Sequence, residues 1–582
     1  MMKKFLTSML GSIAGFWISI FVLGITFFIF LLVFSNNDNS PLITDKTVLH
    51  ICLNNDIYER EVPISSIYDI QSYNADAVYF NDIIKAISTA KKDENIRGIF
   101  IECKGSTLGT ASRQEILNAL VDFKASGKWV YSYADNYTQG DYYIASVSDS
   151  IFLNPIGQLD IHGLSATTMF YKGLFDKIGI EPQILKVGTY KSAVEPFILT
   201  EMSDASREQQ MHYLSNIWET VCNDISKYRN VSNENINMWA DSLIATQSPT
   251  YYKDCKLIDK FYYYNDVKLM LHHKLDLDED ENINLITPKQ YCQLAGINST
   301  GVNNEHIAIL YATGDIVDSG EGGIVGDVIA PQILELAKDK NVKGLVLRVN
   351  SGGGSAFASE QIWNALEQFK QTGKPFYVSM GDIAASGGYY ISCGANKIYA
   401  EPTTLTGSIG IFGIIINTQK LINEQLGITT DNVSTNLNGD FPSMVVPMTP
   451  EQKNKMQQYI ERGYETFVNR CTQGRGLDVD SIKLIAEGRV WDGKTAKEIG
   501  LIDEFGGLQT TVDKMRQKTG IEDVIEYPIY ETSLLNELIT SSAKDAQILN
   551  SDFTEINKCL KLASRVKRMS QVQCKMEDII IN

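Results

Sequence analysis

Histidine is scarce in this chain, with six among 582 residues. A hydrolytic mechanism built on an imidazole base therefore has few candidates. The nine cysteines include no Cys-x-x-Cys pair and form no even framework, so neither a zinc ribbon nor a disulfide scaffold is indicated. Positive charge is also short: 52 Lys and Arg stand against 70 Asp and Glu, a net of −18. Such a surface repels phosphate backbones, and no nucleic-acid partner is expected. No metal-ligand cluster is legible, so neither metal nor cofactor is expected. With 44% hydrophobic and 21% charged residues the mix is that of a globular protein. That excludes disorder, collagen and a polytopic membrane protein as descriptions of the whole chain.

One long uncharged run is present. Phe5 to Phe34 is 30 residues without a charge, where about 20 suffice to cross a bilayer's hydrocarbon core. A cleaved signal peptide has a shorter apolar core and a small-x-small site, but this run ends in Phe34-Ser35-Asn36-Asn37-Asp38. The pattern predicts a retained anchor, with residues 1–36 as cytoplasmic stub and transmembrane helix. Lys3 and Lys4 precede the span and Asp38 follows it. The positive-inside rule then puts the N-terminus in the cytoplasm and everything from about Pro41 on the far side.

The remainder is written twice. Gly127-Lys128-Trp129-Val130-Tyr131 matches Gly373-Lys374-Pro375-Phe376-Tyr377. Tyr142-Tyr143-Ile144-Ala145-Ser146 matches Tyr389-Tyr390-Ile391-Ser392-Cys393. Lys256-Leu257-Ile258-Asp259-Lys260-Phe261 matches Gly500-Leu501-Ile502-Asp503-Glu504-Phe505. The offset stays between 244 and 250 residues. Two homologous domains are expected, over 47–295 and 303–530, with a polar join near Gly296–Glu305. Short apolar runs such as Gly344-Leu345-Val346-Leu347-Arg348-Val349 alternate with helical stretches such as Ala358 to Phe369, which argues parallel α/β units. Residues 531–582 mix Lys, Ser and Leu without a strand signal and read as a helical or loosely ordered tail.

Two glycine clusters follow strands of the second copy. Asn350-Ser351-Gly352-Gly353-Gly354-Ser355 reads as a turn before a helix, where backbone amides face an anion. It lacks the Gly-Lys-Ser/Thr ending of a phosphate-binding loop and the GxGxxG dinucleotide pattern. Asp382-Ile383-Ala384-Ala385-Ser386-Gly387-Gly388-Tyr389-Tyr390 sets a hydroxyl at a strand-to-helix turn among small neighbours. Ser386 is either a nucleophile or a helix cap. As nucleophile, its developing oxyanion would be held by the amides of Gly387 and of Gly353 or Gly354.

A serine nucleophile needs a base. His50 and His306 begin the first strands of the two copies, His212 lies in a helix-like stretch and His272-His273 in a charged one. His162 has no second reason behind it. A buried lysine can serve instead, because a low-dielectric site disfavours the ammonium. Lys191, in Val187-Gly188-Thr189-Tyr190-Lys191-Ser192-Ala193-Val194-Glu195-Pro196-Phe197, has apolar and aromatic neighbours. Aligning the copies sets Ser386 on Gln139 and Lys191 on Gly439. Each copy thus carries half of a site.

These residues, with Leu405-Thr406-Gly407-Ser408-Ile409-Gly410 and Gly488-Arg489-Val490-Trp491, resemble the long-form bacterial signal peptide peptidase (protease IV) family over roughly residues 1–530. The resemblance implies tandem crotonase/Clp-protease-like domains behind a transmembrane helix. It also implies a Ser/Lys dyad, with Ser386 as nucleophile and Lys191 as general base, and a homotetramer at the outer face of the cytoplasmic membrane. Its substrates would be released, apolar signal peptides. Ser408 is a candidate for orienting the Lys191 amine. Where the family has Asn-Ser-Pro-Gly-Gly-Ser, this chain has Gly352 in place of proline, which is expected to loosen the turn. Two rivals stand beside this reading. An acyl-thioester enzyme would use the same paired amides, but coenzyme A is cytosolic. An inactive membrane-anchored scaffold would not need both half-sites.

Overall fold

In the computed structural model the described residues are 15–26, 42–55, 57–60, 77–278, 281–297, 304–320, 322–528, 572–576 and 580–581. They divide into two units, Met1–Thr44 and Asp45–Asn582. In the first, residues 15–26 form a helix with exposed side chains. The rest of the predicted span Phe5–Phe34 lies outside the described residues. Among the described residues no helix is long and apolar enough to cross a membrane.

In the second unit the repeat appears as one sheet built twice. The first sheet runs Leu285–Ile286, Thr47–Leu53, Ile96–Cys103, Trp129–Ala134, Ser150–Leu153, Lys260–Phe261, all parallel. In the second, Val524–Tyr527, His306–Thr313, Val342–Ser351, Phe376–Ala385, Lys397–Ala400 and Glu504–Phe505 follow in the same order, again parallel. Continuous apolar runs dictate this. Ile99-Phe100-Ile101 and Leu345-Val346-Leu347 are buried throughout, as strands covered on both faces must be.

A third, mixed sheet joins the copies. It runs Ile324–Val325, Ile316–Val317, Gly353–Ser355, Gln573–Lys575, Phe412–Asn417, Glu181–Lys186. Two sequence expectations are corrected here. The glycine segment is not only a turn: Gly353–Ser355 is a strand, and the helix Ala356–Gln371 begins directly after it. The tail is not without strands: Gln573–Lys575 and Ile580–Ile581 both pair with the body of the protein. Val572, Cys574 and Met576 alternate with polar residues, a period-two pattern too short to stand out in a Lys- and Ser-rich stretch. Residues 531–571 lie outside the described residues.

The seam between the copies is polar and buried. Arg348, fully enclosed, donates to Glu59 at 2.7 Å and lies 3.1 Å from Glu115. Ser112 donates to Asp382, Thr403 to Gln114 and Asn118 to Glu401. Burial, reinforced by Glu115, pushes the Glu401 carboxyl up to about 8 from its ordinary 4.5. An acid whose folded value is raised keeps its proton while the unfolded chain has lost it. Its contribution is full below about pH 4.5 and is lost as pH rises toward 8. Glu401→Gln removes that loss. Relative to the parent, the variant should gain stability between pH 5 and pH 8, by up to about 4 kcal/mol. Thermal midpoints at the two pH values measure the difference, and identical pH slopes would refute it.

Candidate active site

The strand Phe376–Ala385 delivers Ser386 to the mouth of the helix Gly387–Ser392. Ser386 has φ 55°, a conformation that non-glycine residues rarely hold. Its amide donates to the Gly407 carbonyl at 2.8 Å, and its carbonyl accepts from Tyr390 at 2.8 Å. Fixed on both sides, it carries strain of the kind found at reactive sites. The small neighbours are required. A side-chain carbon at Gly388 would come within 2.5 Å of the Ser351 carbonyl oxygen, and one at Gly387 within 2.8 Å of Ser359 Oγ.

Lys191 arrives from the other copy, in the loop that follows the strand Glu181–Lys186. That strand lies antiparallel to Phe412–Asn417, which draws the loop to the second copy's site. Lys191 is 1% exposed. Its Nζ donates to Ser386 Oγ at 2.8 Å, to Ser408 Oγ at 3.0 Å and to the Ser408 carbonyl at 3.1 Å. Ser408, at φ 49°, donates its own hydroxyl to the Gly488 carbonyl at 3.2 Å. The two half-sites therefore meet within one chain, and Ser408 joins them.

Residues that hold this arrangement were not evident in the sequence. Gln209, on the helix Asp204–Arg229, donates to the Tyr190 carbonyl and Ser192 Oγ and accepts from the Val490 amide. It fastens the lysine loop to the second copy. Gly488 lies so close that a side-chain carbon there would come within 2.6 Å of the Lys191 Cβ. The Gly488-Arg489-Val490-Trp491 segment carried this signal, but only as a motif.

Of the predicted oxyanion glycines, Gly387 and Gly353 pack together. A side-chain carbon at Gly353 would meet the Gly387 nitrogen at 2.6 Å. The Gly353 amide itself is used, donating to Ser351 Oγ at 3.1 Å. Gly354, the other candidate partner of Gly387, follows Gly353 in the same strand. The histidines bond elsewhere: His50 to Glu102, His162 to Asp160, His306 to Tyr527. In the first copy, the Asp141 carboxylate accepts from the amides of Gly105 and Ser106, after the strand equivalent to Val342–Ser351. An anion of the protein fills that position. Gln139, aligned with Ser386, accepts from the amides of His162 and Gly163. Among the described residues the first copy contributes a lysine and no second site of this form.

A cleft of about 1080 Å³ is lined mainly by apolar side chains that include Leu185, Ile411, Ile414, Met444, Met456 and Val572, and it reaches Ser355 and Tyr390 on the elements that carry Gly354 and lie next to Ser386. Among the described residues no group of metal-ligating side chains comes together.

Two stretches of the chain, 122–278 and 368–522, match Peptidase family S49. "Protease 4" of Salmonella typhi is 40% identical over 443 residues, 74% of this chain and 71% of that protein. "Protease 4" of Haemophilus influenzae is 36% identical over 80% of this chain and 78% of its own length. "Serine protease SPPA, chloroplastic" of Arabidopsis thaliana is 28% identical over 84% and 73%.

Proposed function

From the premise that this chain belongs to peptidase family S49 and is a serine-type peptidase, we propose that it is a membrane-anchored endopeptidase that degrades released signal peptides through a Ser386/Lys191 dyad. The observation that carries the dyad is the 2.8 Å line between Lys191 Nζ and Ser386 Oγ in a buried site. A lysine takes a proton only as the neutral amine, the form that burial favours. Along that line the amine accepts the Ser386 proton as Oγ attacks the peptide carbonyl. Amides of Gly387 and Gly354 receive the oxyanion. Lys191 returns the proton to the leaving amine, and water hydrolyses the ester. Ser408, within 3.0 Å of Nζ, aims the lone pair.

The apolar cleft supports signal peptides as substrates, since such segments bury best among side chains like Ile411 and Met444. The uncharged run Phe5–Phe34 supports an anchor in the cytoplasmic membrane, with the peptidase on its outer face. The homotetramer and the finer crotonase/Clp likeness rest on the family. The test compares an apolar signal peptide with a polar peptide of equal length. The apolar one should be cut with a kcat/KM at least about tenfold higher. Equal rates would remove the substrate assignment.

A further inference from the structure

The side-chain amide of Gln209 is fully buried, and both ends of it are used. Its Nε2 donates to the Tyr190 carbonyl at 3.1 Å and to Ser192 Oγ at 3.0 Å, so it grips the chain on either side of Lys191. Its Oε1 accepts from the Val490 amide at 3.1 Å. These partners fix which way the amide points. A backbone N–H can face only its oxygen, and a carbonyl only its nitrogen.

Val490 leads to the nucleophile through the backbone. It pairs with Gly407 in the antiparallel strands Leu405–Gly407 and Val490–Asp492. The Gly407 carbonyl accepts from the Ser386 amide at 2.8 Å, and the Ser408 amide donates to the Arg489 carbonyl at 2.6 Å. One glutamine side chain thus spans from the lysine loop to the segment that holds both Ser386 and Ser408.

Gln209 belongs to a longer strip of contacts. The helix Asp204–Arg229 of the first copy runs beside residues 489–494 of the second. Glu208 accepts from Arg489 at 2.7 Å, Asn216 donates to Asp492 at 2.9 Å and Glu219 accepts from Lys494 at 3.0 Å. Of these side chains of the helix, Gln209 is the one that bonds to the lysine loop. The loop needs such a tie. The Tyr190 amide donates to the Glu487 carbonyl at 3.0 Å, which fixes its entry. The Lys191 amine, however, sits at the end of a flexible four-carbon stem. A displacement of about 1 Å at a reacting group can cost about 10²-fold in rate. Gln209 fixes the backbone from which the stem leaves.

We propose that Gln209 is a positioning residue for the base: by tying Tyr190 and Ser192 to Val490, it sets the Lys191 amine against Ser386. This rests on the dyad reading above. The bonds of Gln209 go to the loop and not to the reacting atoms, so its effect passes through Lys191.

The test is a double-variant cycle on the full chain, read as the rate at which a serine-reactive fluorophosphonate labels Ser386. Gln209→Met keeps the length of the side chain and removes all three hydrogen bonds. It should slow labelling about 10- to 100-fold and lower kcat on an apolar peptide by a similar factor, with KM within about twofold of the parent. In a Lys191→Met background the same substitution should change the labelling rate by less than about twofold, because an effect carried by the lysine is lost with it. Ser192→Ala removes one of the three bonds, leaves the fold in place and should slow labelling severalfold. Asn216→Ala breaks the strip about two helical turns away; it should lower the thermal midpoint and leave the labelling rate as it is. Parental labelling in Gln209→Met overturns the inference and leaves the dyad standing. Equal slowing with and without the lysine, or slowing as large in Asn216→Ala, marks a merely structural role and overturns it too. Should Gln209→Met fail to fold, parental labelling in Ser192→Ala overturns it. Parental labelling in Lys191→Met overturns the dyad and the inference together.

Discussion

Lys191→Ala is expected to lower kcat on an apolar peptide by about 10⁶-fold, as losing the base does in other serine hydrolases. Nothing else described at the site replaces it: the histidines whose bonds are given pair with Glu102, Asp160 and Tyr527. Ser386→Ala should cost as much, and the double variant no more than either single one, because the two residues act as a unit. Lys191→Met keeps most of the buried stem's packing and separates chemistry from folding. It should melt close to the parent and be as inactive as the alanine variant. Steady-state kinetics and thermal midpoints give both readouts. A Lys191→Met enzyme with a tenth or more of parental kcat would show that the proton goes elsewhere.

Arg348→Ala is expected to destabilise the body of the protein by about 3–5 kcal/mol, the range for breaking a buried ion pair from one side. Burial opposes the Arg348 charge, but Glu115 and Glu59 more than offset it, and the net effect holds the guanidinium charged. Without it both carboxylates stay in the seam unpaired. Arg348→Met combined with Glu59→Gln and Glu115→Gln should recover much of the loss, since removing all the charges is far less costly than stranding two. The thermal midpoint should fall by several degrees in the single variant and rise again in the triple. Arg348 joins the copy that carries Lys191 to the copy that carries Ser386, so the single variant should also lose activity at temperatures below its midpoint. An unchanged midpoint would mean the seam is not held this way.

Much of this was legible in sequence because the chain repeats itself. Apolar runs at matching offsets gave two parallel sheets. The asymmetry between the copies, serine against Gln139 and lysine in one copy only, pointed to Ser386 and Lys191. Their meeting depends on the antiparallel pairing of Glu181–Lys186 with Phe412–Asn417, a long-range contact that no local pattern announces. Gln209 was hidden for the same reason: its face of the helix shows that a residue is buried, not what it binds. A Gly triplet reads as a row of free donors, which leaves Gly353 and Gly354 as alternatives for the oxyanion. The sequence does not show that Ser351 Oγ accepts from the Gly353 amide. The strand in the tail is three residues long, and its stability comes from the two edges it fills rather than from its own propensity.

The most direct measurement is covalent labelling of the intact protein with a serine-reactive fluorophosphonate, followed by peptide mapping. One adduct on Ser386 is predicted in the parent, with labelling slowed at least about 10³-fold in Lys191→Met. An adduct on another serine, or labelling of Ser386 at the same rate without the lysine, would contradict the dyad.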